Sequence, residues 1–125
     1  MGIMSSITGN AGEISAADAA AALGPVLMAQ EQVHKAYQVG RDMFAFTDRR
    51  LILVDKQGLT GSKSEFRSIP YKSITNFSVE TAGNFDLDAE MKIYVTGNPL
   101  PIQREFNKKV NVWEVQSVLA QMVLR

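Results

Sequence analysis

The sequence predicts a mainly β fold of the α+β kind: seven antiparallel strands in meander order, a C-terminal helix over one end, and a short N-terminal helix. Three observations carry this. Hydrophobic periodicity of two runs from Gln32 to Phe106. Polar turns bearing Gly, Asn or Asp interrupt it at short intervals. Helical spacing occurs only at the two ends of the chain. So many strands in a chain of this size twist into two packed sheets or a partly open barrel, not one flat sheet.

Residues 1–12 are small and polar, with Gly2, Gly9 and Gly12, and read as a loose arm. Ser15 with Asp18 forms a capping box for a helix over Ala16–Leu23, stopped by Gly24-Pro25. Its alanines suit close packing, as a plug over an open end of the core or, as the sharper alternative, docked on a neighbouring subunit. Gln32–Val39 is the first strand, with Val33, Tyr37 and Val39 alternating with His34, Ala36 and Gln38. Gly40-Arg41-Asp42 connects it to Met43–Thr47, where Phe44 and Phe46 share a face. Arg50–Asp55 is apolar on both faces and must be covered on both sides.

Gln57-Gly58 and Gly61 reverse the chain into Glu65–Tyr71, where Pro70 removes a ladder donor and marks an edge or the end of the strand. In Ser73–Thr81 the parity changes between Ile74 and Phe77, which predicts a bulge or a bend. Gly83-Asn84 leads into Phe85–Thr96, with Leu87, Ala89, Met91, Ile93 and Val95 on one face and Asp88, Glu90, Lys92, Tyr94 and Thr96 on the other. Gly97-Asn98-Pro99 turns it into Leu100–Phe106, with Ile102 and Phe106 inward. Asn111 with Glu114 is a second capping box, and Val112, Val115, Leu119 and Met122, widened by Val118 and Val123, form the stripe of the last helix. Trp113 lies off that stripe and is placed to anchor its first turn.

With 13 basic and 13 acidic residues the formal charge is zero, which argues against nucleic acid or an anionic membrane as main partner. The absence of cysteine removes disulfides, thiolate metal sites and cysteine nucleophiles, and suits a cytoplasmic setting. Met1-Gly2 with Ser6 matches the acylation pattern in form, but no polybasic second signal follows. His34 is the only histidine, so a two-histidine mechanism or a histidine metal cluster is excluded. Asp88 and Glu90 share a strand face about 7 Å apart, with Asp86 nearby, but Lys92 and Tyr94 continue that face as a polar stripe. Gly58, Gly61 and Lys63 make a glycine-bearing loop between strands, a hairpin turn and not a phosphate cradle at a helix start. No catalytic, cofactor or metal set emerges: the expectation is a protein that is not an enzyme and has no cofactor.

The run from Phe44 to Gly97 resembles the bacterial pleckstrin-homology (PH) domain family. The pieces that carry the resemblance are Phe46-Thr47-Asp48-Arg49-Arg50-Leu51-Ile52-Leu53, Asp55-Lys56-Gln57-Gly58, Ser68-Ile69-Pro70-Tyr71 and Phe77-Ser78-Val79-Glu80-Thr81-Ala82-Gly83, in order and at the expected spacing. It implies a PH-like split β-barrel over residues 31–125, behind an N-terminal arm and short helix over residues 1–30. It further implies no catalysis, assembly into a cyclic homo-oligomer, typically a pentamer, and a role in protein–protein interaction. A split barrel leaves strand edges unpaired; Pro70 and Pro101 blunt some, whereas Leu87–Val95 has neither proline nor glycine. The expected partner surface is Asp88, Glu90, Lys92 and Tyr94, for a protein partner that the sequence does not identify. The alternative is an anionic-ligand or lipid sensor using Lys35 and Arg41, for which one or two bases beside Asp48 are poor material.

Overall fold

Alternation along each strand sorts the side chains into two apolar layers, and two sheets result. The computed structural model describes residues 12–81, 88–107 and 109–125. The first sheet has five strands paired antiparallel in sequence order: β1 (Glu13–Ile14), β2 (Val33–Val39), β3 (Asp42–Thr47), β4 (Arg50–Gln57) and β5 (Lys63–Pro70). The second has three: β6 (Ile74–Thr81), β7 (Ala89–Val95) and β8 (Ile102–Phe106). Helix α1 (Ala16–Leu23) lies between β1 and β2, and α2 (Val112–Val123) follows β8. All seven expected strands are present. The additional one, β1, is two residues long, too short for alternation to reveal. The arm over residues 1–12, the turn at Gly83-Asn84 and the strand start at Phe85, Asp86 and Leu87 lie outside the described residues, Gly12 excepted.

The inner core fills the space between the sheets. Phe44, Phe46, Leu51 and Leu53 meet Met91, Ile93 and Phe106, and the Phe44 and Phe106 rings pack edge-on with centroids 5.6 Å apart. The C-terminal helix closes this core with Val112, Val115, Val118, Leu119 and Met122, the stripe its spacing predicts. A second core lies outside the barrel: Ala36, Met43, Ala45, Ile52 and Val54 are buried with Ile14, Ala19 and Leu23. Helix α1 therefore does not plug an open end. It covers the outward face of β2–β4, where Ile52 and Val54 would each forfeit about 1.5–3 kcal/mol if left in water.

Local irregularities follow the same logic. The irregularity expected in β6 is present as a bulge, with the register shifting between Ile74 and Asn76. A second bulge, between Val33 and Lys35, breaks the parity expected for β2. Val33 packs with the outer core, while Tyr37 and Val39 belong to the inner one. The strand expected to offer an open edge does not: β7 is the middle strand of its sheet, paired with β6 on one side and β8 on the other.

Both helices begin as expected, with one change each. Ser15 Oγ accepts from the Asp18 N–H at 3.1 Å, but Asp18 Oδ2 is buried without a hydrogen-bond partner. Asn111 Oδ1 accepts from the Trp113 N–H at 3.0 Å, whereas Glu114 Oε2 accepts from the buried Tyr37 hydroxyl at 2.8 Å and ties α2 to β2. Burial, then that bond, pushes the Tyr37 phenol above its usual range. Trp113, expected to anchor the first turn, is 56% exposed and lies outside the buried core.

The link between α1 and β2 is fixed by Glu31, whose side chain is fully buried. Arg50 grips it with two donors, Nε to Oε2 at 2.9 Å and Nη2 to Oε1 at 2.7 Å. Thr47 Oγ1 adds a bond of 2.6 Å and the Met28 N–H one of 3.0 Å. These bonds, those from Arg50 foremost, outweigh burial and hold the Glu31 carboxyl at about 2 instead of 4.5. The shift is worth on the order of 3 kcal/mol.

The stability that Glu31 contributes is therefore complete above its ordinary value of 4.5 and is lost as pH falls toward 2. Glu31→Gln should cost about 3 kcal/mol at neutral pH, and about half as much near pH 3, where the native protein has already lost part of that contribution. Urea titrations of both proteins at the two pH values check this; an equal cost at both rules it out.

Candidate interaction surface

The outward residues of the three-stranded sheet build a face rich in charged side chains. In β7 the inward Ala89, Met91 and Ile93 are buried, which turns Glu90, Lys92 and Tyr94 outward, with the exposed Asp88 just ahead. The four predicted residues thus lie along one face. Register adds what β7 alone did not show. Glu90 is paired with Glu80 of β6 on one side and with Glu105 of β8 on the other. Three glutamates stand in a row across the sheet, at neighbour spacings of about 4.5–5.5 Å between Cα atoms. One further row along, Lys92 lies between Ser78 and Gln103, and Tyr94 faces Asn76. Gln103 Nε2 donates to Glu90 Oε2 at 2.7 Å.

At the acidic end the surface sinks into an open depression of about 470 Å³, lined by Glu80, Asp88, Glu90, Glu105 and Phe106, with Gly40 contributed by the turn between β2 and β3. Among the described residues no three His, Asp or Glu side chains are grouped so as to hold a metal ion. Directly opposed like charges destabilise a sheet by tenths of a kcal/mol, so the row favours cationic groups brought to it from outside.

The alternative pair is not brought together. Lys35 Nζ is bound to Glu13 Oε2 at 3.0 Å, and Arg41 Nη2 donates to the Gly58 carbonyl at 2.7 Å, clamping one hairpin turn to the next. The two bases are six positions apart, with Lys35 on β2 and Arg41 in the turn that follows it. The loop with Gly58, Gly61 and Lys63 is a hairpin turn closed by Gly61 N–H to Gly58 O at 3.3 Å, with both glycines at positive φ. His34 is exposed on β2.

One polar cluster lies outside the residues the sequence singles out. Arg104 reaches across the gap between the sheets, its Nη2 donating to Asp55 Oδ1 at 2.5 Å and its Nε lying 3.5 Å from Asp42 Oδ2. The signal was present: Arg104 lies between the inward Ile102 and Phe106, and Asp55 shares the parity of Leu51 and Leu53. A charge on a core-facing position requires a partner, and here the partners come from the opposite sheet.

The sequence profile described as bacterial PH domain matches residues 2–123. The uncharacterised protein YjqA of Bacillus subtilis (strain 168) is 49% identical over 125 residues, which cover 99% of this chain and 100% of YjqA. A pleckstrin homology domain from Shewanella amazonensis superposes with a TM-score of 0.83 at 45% identity, covering 94% of each chain. A DUF1696 family protein with a pleckstrin-homology domain from Shewanella loihica gives 0.78 at 47% identity, covering 93% of this chain and 99% of that one.

Glu90→Gln keeps an acceptor for Gln103 and removes the central charge of the row. The variant should melt about 2 °C higher than the native protein at low ionic strength, with the difference shrinking as salt screens the row. Thermal melts across a salt series check this, and a variant no more stable than the native protein at low salt contradicts it.

Proposed function

The chain belongs to the bacterial PH domain family, and from that premise we propose that it works by binding and not by catalysis, as a subunit of a cyclic homo-oligomer, a pentamer in the favoured form, that presents its polar sheet face to a protein partner. The observation that carries this reading is the pair of open edges of the five-stranded sheet. At one side β5 has no strand on its outer edge among the described residues, and its only proline is the final residue, Pro70. At the other, β1 pairs with Tyr37 and Ala36 of β2 and the Gly12 carbonyl accepts from Gln38 N–H at 2.7 Å, and among the described residues no strand pairs on that side with the start of β2, Val33 to Lys35. Two different edges on one subunit support head-to-tail pairing, which closes into a ring when the rotation allows.

Each subunit of such a ring carries one copy of the face with Asp88, Glu90, Lys92 and Tyr94, flanked by Glu80 and Glu105. A partner that presents basic segments would meet several copies at once, and weak single contacts would add through avidity. No helix among the described residues is long and apolar enough to cross a membrane.

Light scattering on a sizing column should give a mass near five protomers, constant across a concentration series; a monomer throughout ends the ring reading. Prolines at neighbouring positions locate the edge. Successive N–H groups in a strand point to opposite sides, so one of Glu65→Pro and Phe66→Pro removes an outward donor and the other an inward one. The first should dissociate the ring and leave the fold intact. Glu90→Gln combined with Lys92→Gln should weaken partner capture with ring mass unchanged, and unchanged capture excludes that face.

A further inference from the structure

The segment from β1 to the turn before β2 holds its side-chain ion pair and its buried apolar contacts with the sheet beneath it, and its internal bonds are those of one short capped helix and a turn. Helix α1 has eight residues, AADAAAAL, and buries only Ala19 and Leu23. A helix of this length does not persist alone in water. Its Asp18 carboxylate holds one oxygen buried without a partner. What retains the segment is the sheet: the Glu13–Lys35 ion pair, the two-residue pairing of β1 with β2, the apolar bed of Ala36, Met43, Ala45, Ile52 and Val54, and a bond of 2.7 Å from Arg50 Nη2 to the Val26 carbonyl.

The connection to β2 is strained. Met28 to Glu31 form a turn closed by Glu31 N–H to Met28 O at 3.1 Å, and Gln30 within it has φ +69°. It is the only non-glycine residue at positive φ among the described residues. The third residue of such a turn is ordinarily glycine, and glutamine pays a steric penalty there. On the far side Glu31 is locked to Arg50 and Thr47, so opening of the turn would stop at Glu31 and leave β2 in register.

We propose that residues 13–27 are exchanged between copies of this chain: the turn at Met28 to Gln30 opens, and β1 with α1 lies on the five-stranded sheet of another subunit. The occupant is a second copy because the bed is complementary to this segment group by group. Lys35 receives Glu13, Arg50 receives the Val26 carbonyl, and the small apolar bed receives the alanine face. Exchange keeps all of these contacts and releases Gln30 from the left-handed region, the circumstance in which short strained hinges favour swapping. It adds a link beyond the strand-edge pairing and does not depend on it.

The test uses the native protein. Glu13–Lys35 is the only lysine–carboxylate ion pair among the described residues, so a zero-length carbodiimide crosslink reports on it. Equal amounts of unlabelled and nitrogen-15-labelled chain are unfolded together, refolded and crosslinked, and the Glu13–Lys35 peptide is weighed. Exchange gives peptides of mixed label, approaching about one half of the total. Only unmixed peptides overturn the proposal, and a ring mass alongside them leaves edge pairing standing. Gln30→Gly accepts the left-handed turn without penalty and should lower the mixed fraction about fivefold. A mixed fraction unchanged in that variant marks random collision and overturns the proposal too.

Discussion

A sheet that is apolar on both faces must be covered twice, and the rest of this fold follows from that requirement. β3 and β4 carry Phe44, Phe46, Leu51 and Leu53 on one side and Met43, Ala45, Ile52 and Val54 on the other. The three-stranded sheet and α2 cover the first side. The second is left to whatever precedes β2, and α1 supplies a thin layer of small residues. Ala36 and Ala45 in the bed and Ala19 in the helix have no bulk to hold the two apart, so helix and sheet pack closely.

Polar groups enter this apolar frame only where a partner waits. Arg104 points inward yet meets Asp42 and Asp55 from the opposite sheet, joining the two halves of the barrel where strand pairing is interrupted. Glu31 is buried because Arg50 and Thr47 surround it, and truncating either side of such a pair strands a charge in the interior. Both clusters act at boundaries, one between the sheets and the other between α1 and β2. Apolar packing fills the layers and charge pairs fix how the layers meet.

Much of this was legible in the residues. Strict alternation from Ala89 to Val95 fixes which side chains face out, and the parity break between Ile74 and Phe77 marks an irregularity, bulge or bend, that the strand register resolves as a bulge. The features that escaped depend on pairing across distance. The glutamate row exists only when β6, β7 and β8 are in register. The order of strands, which places β7 in the middle, is a property of the sheet and not of the strand. Val33 changes face because of a bulge that no glycine or proline marks. Arg104 was readable in principle, since its parity is that of Ile102 and Phe106, but a charged residue in a short strand is easily assigned to the solvent side.

The two cores also differ in how much chain they need. The outer one is assembled from residues between Ile14 and Val54, whereas the inner one joins Tyr37 to Met122. During synthesis the outer layer has all its parts once Val54 has been added, well before the strands of the second sheet exist. The barrel interior must wait for the final helix, and until then Phe44, Phe46, Leu51 and Leu53 lack their cover. Short-range contacts close first and long-range ones pay the larger loop entropy. The nascent chain thus passes through a stage in which one side of its first sheet is finished and the other is sticky, and this is when its aggregation risk is highest.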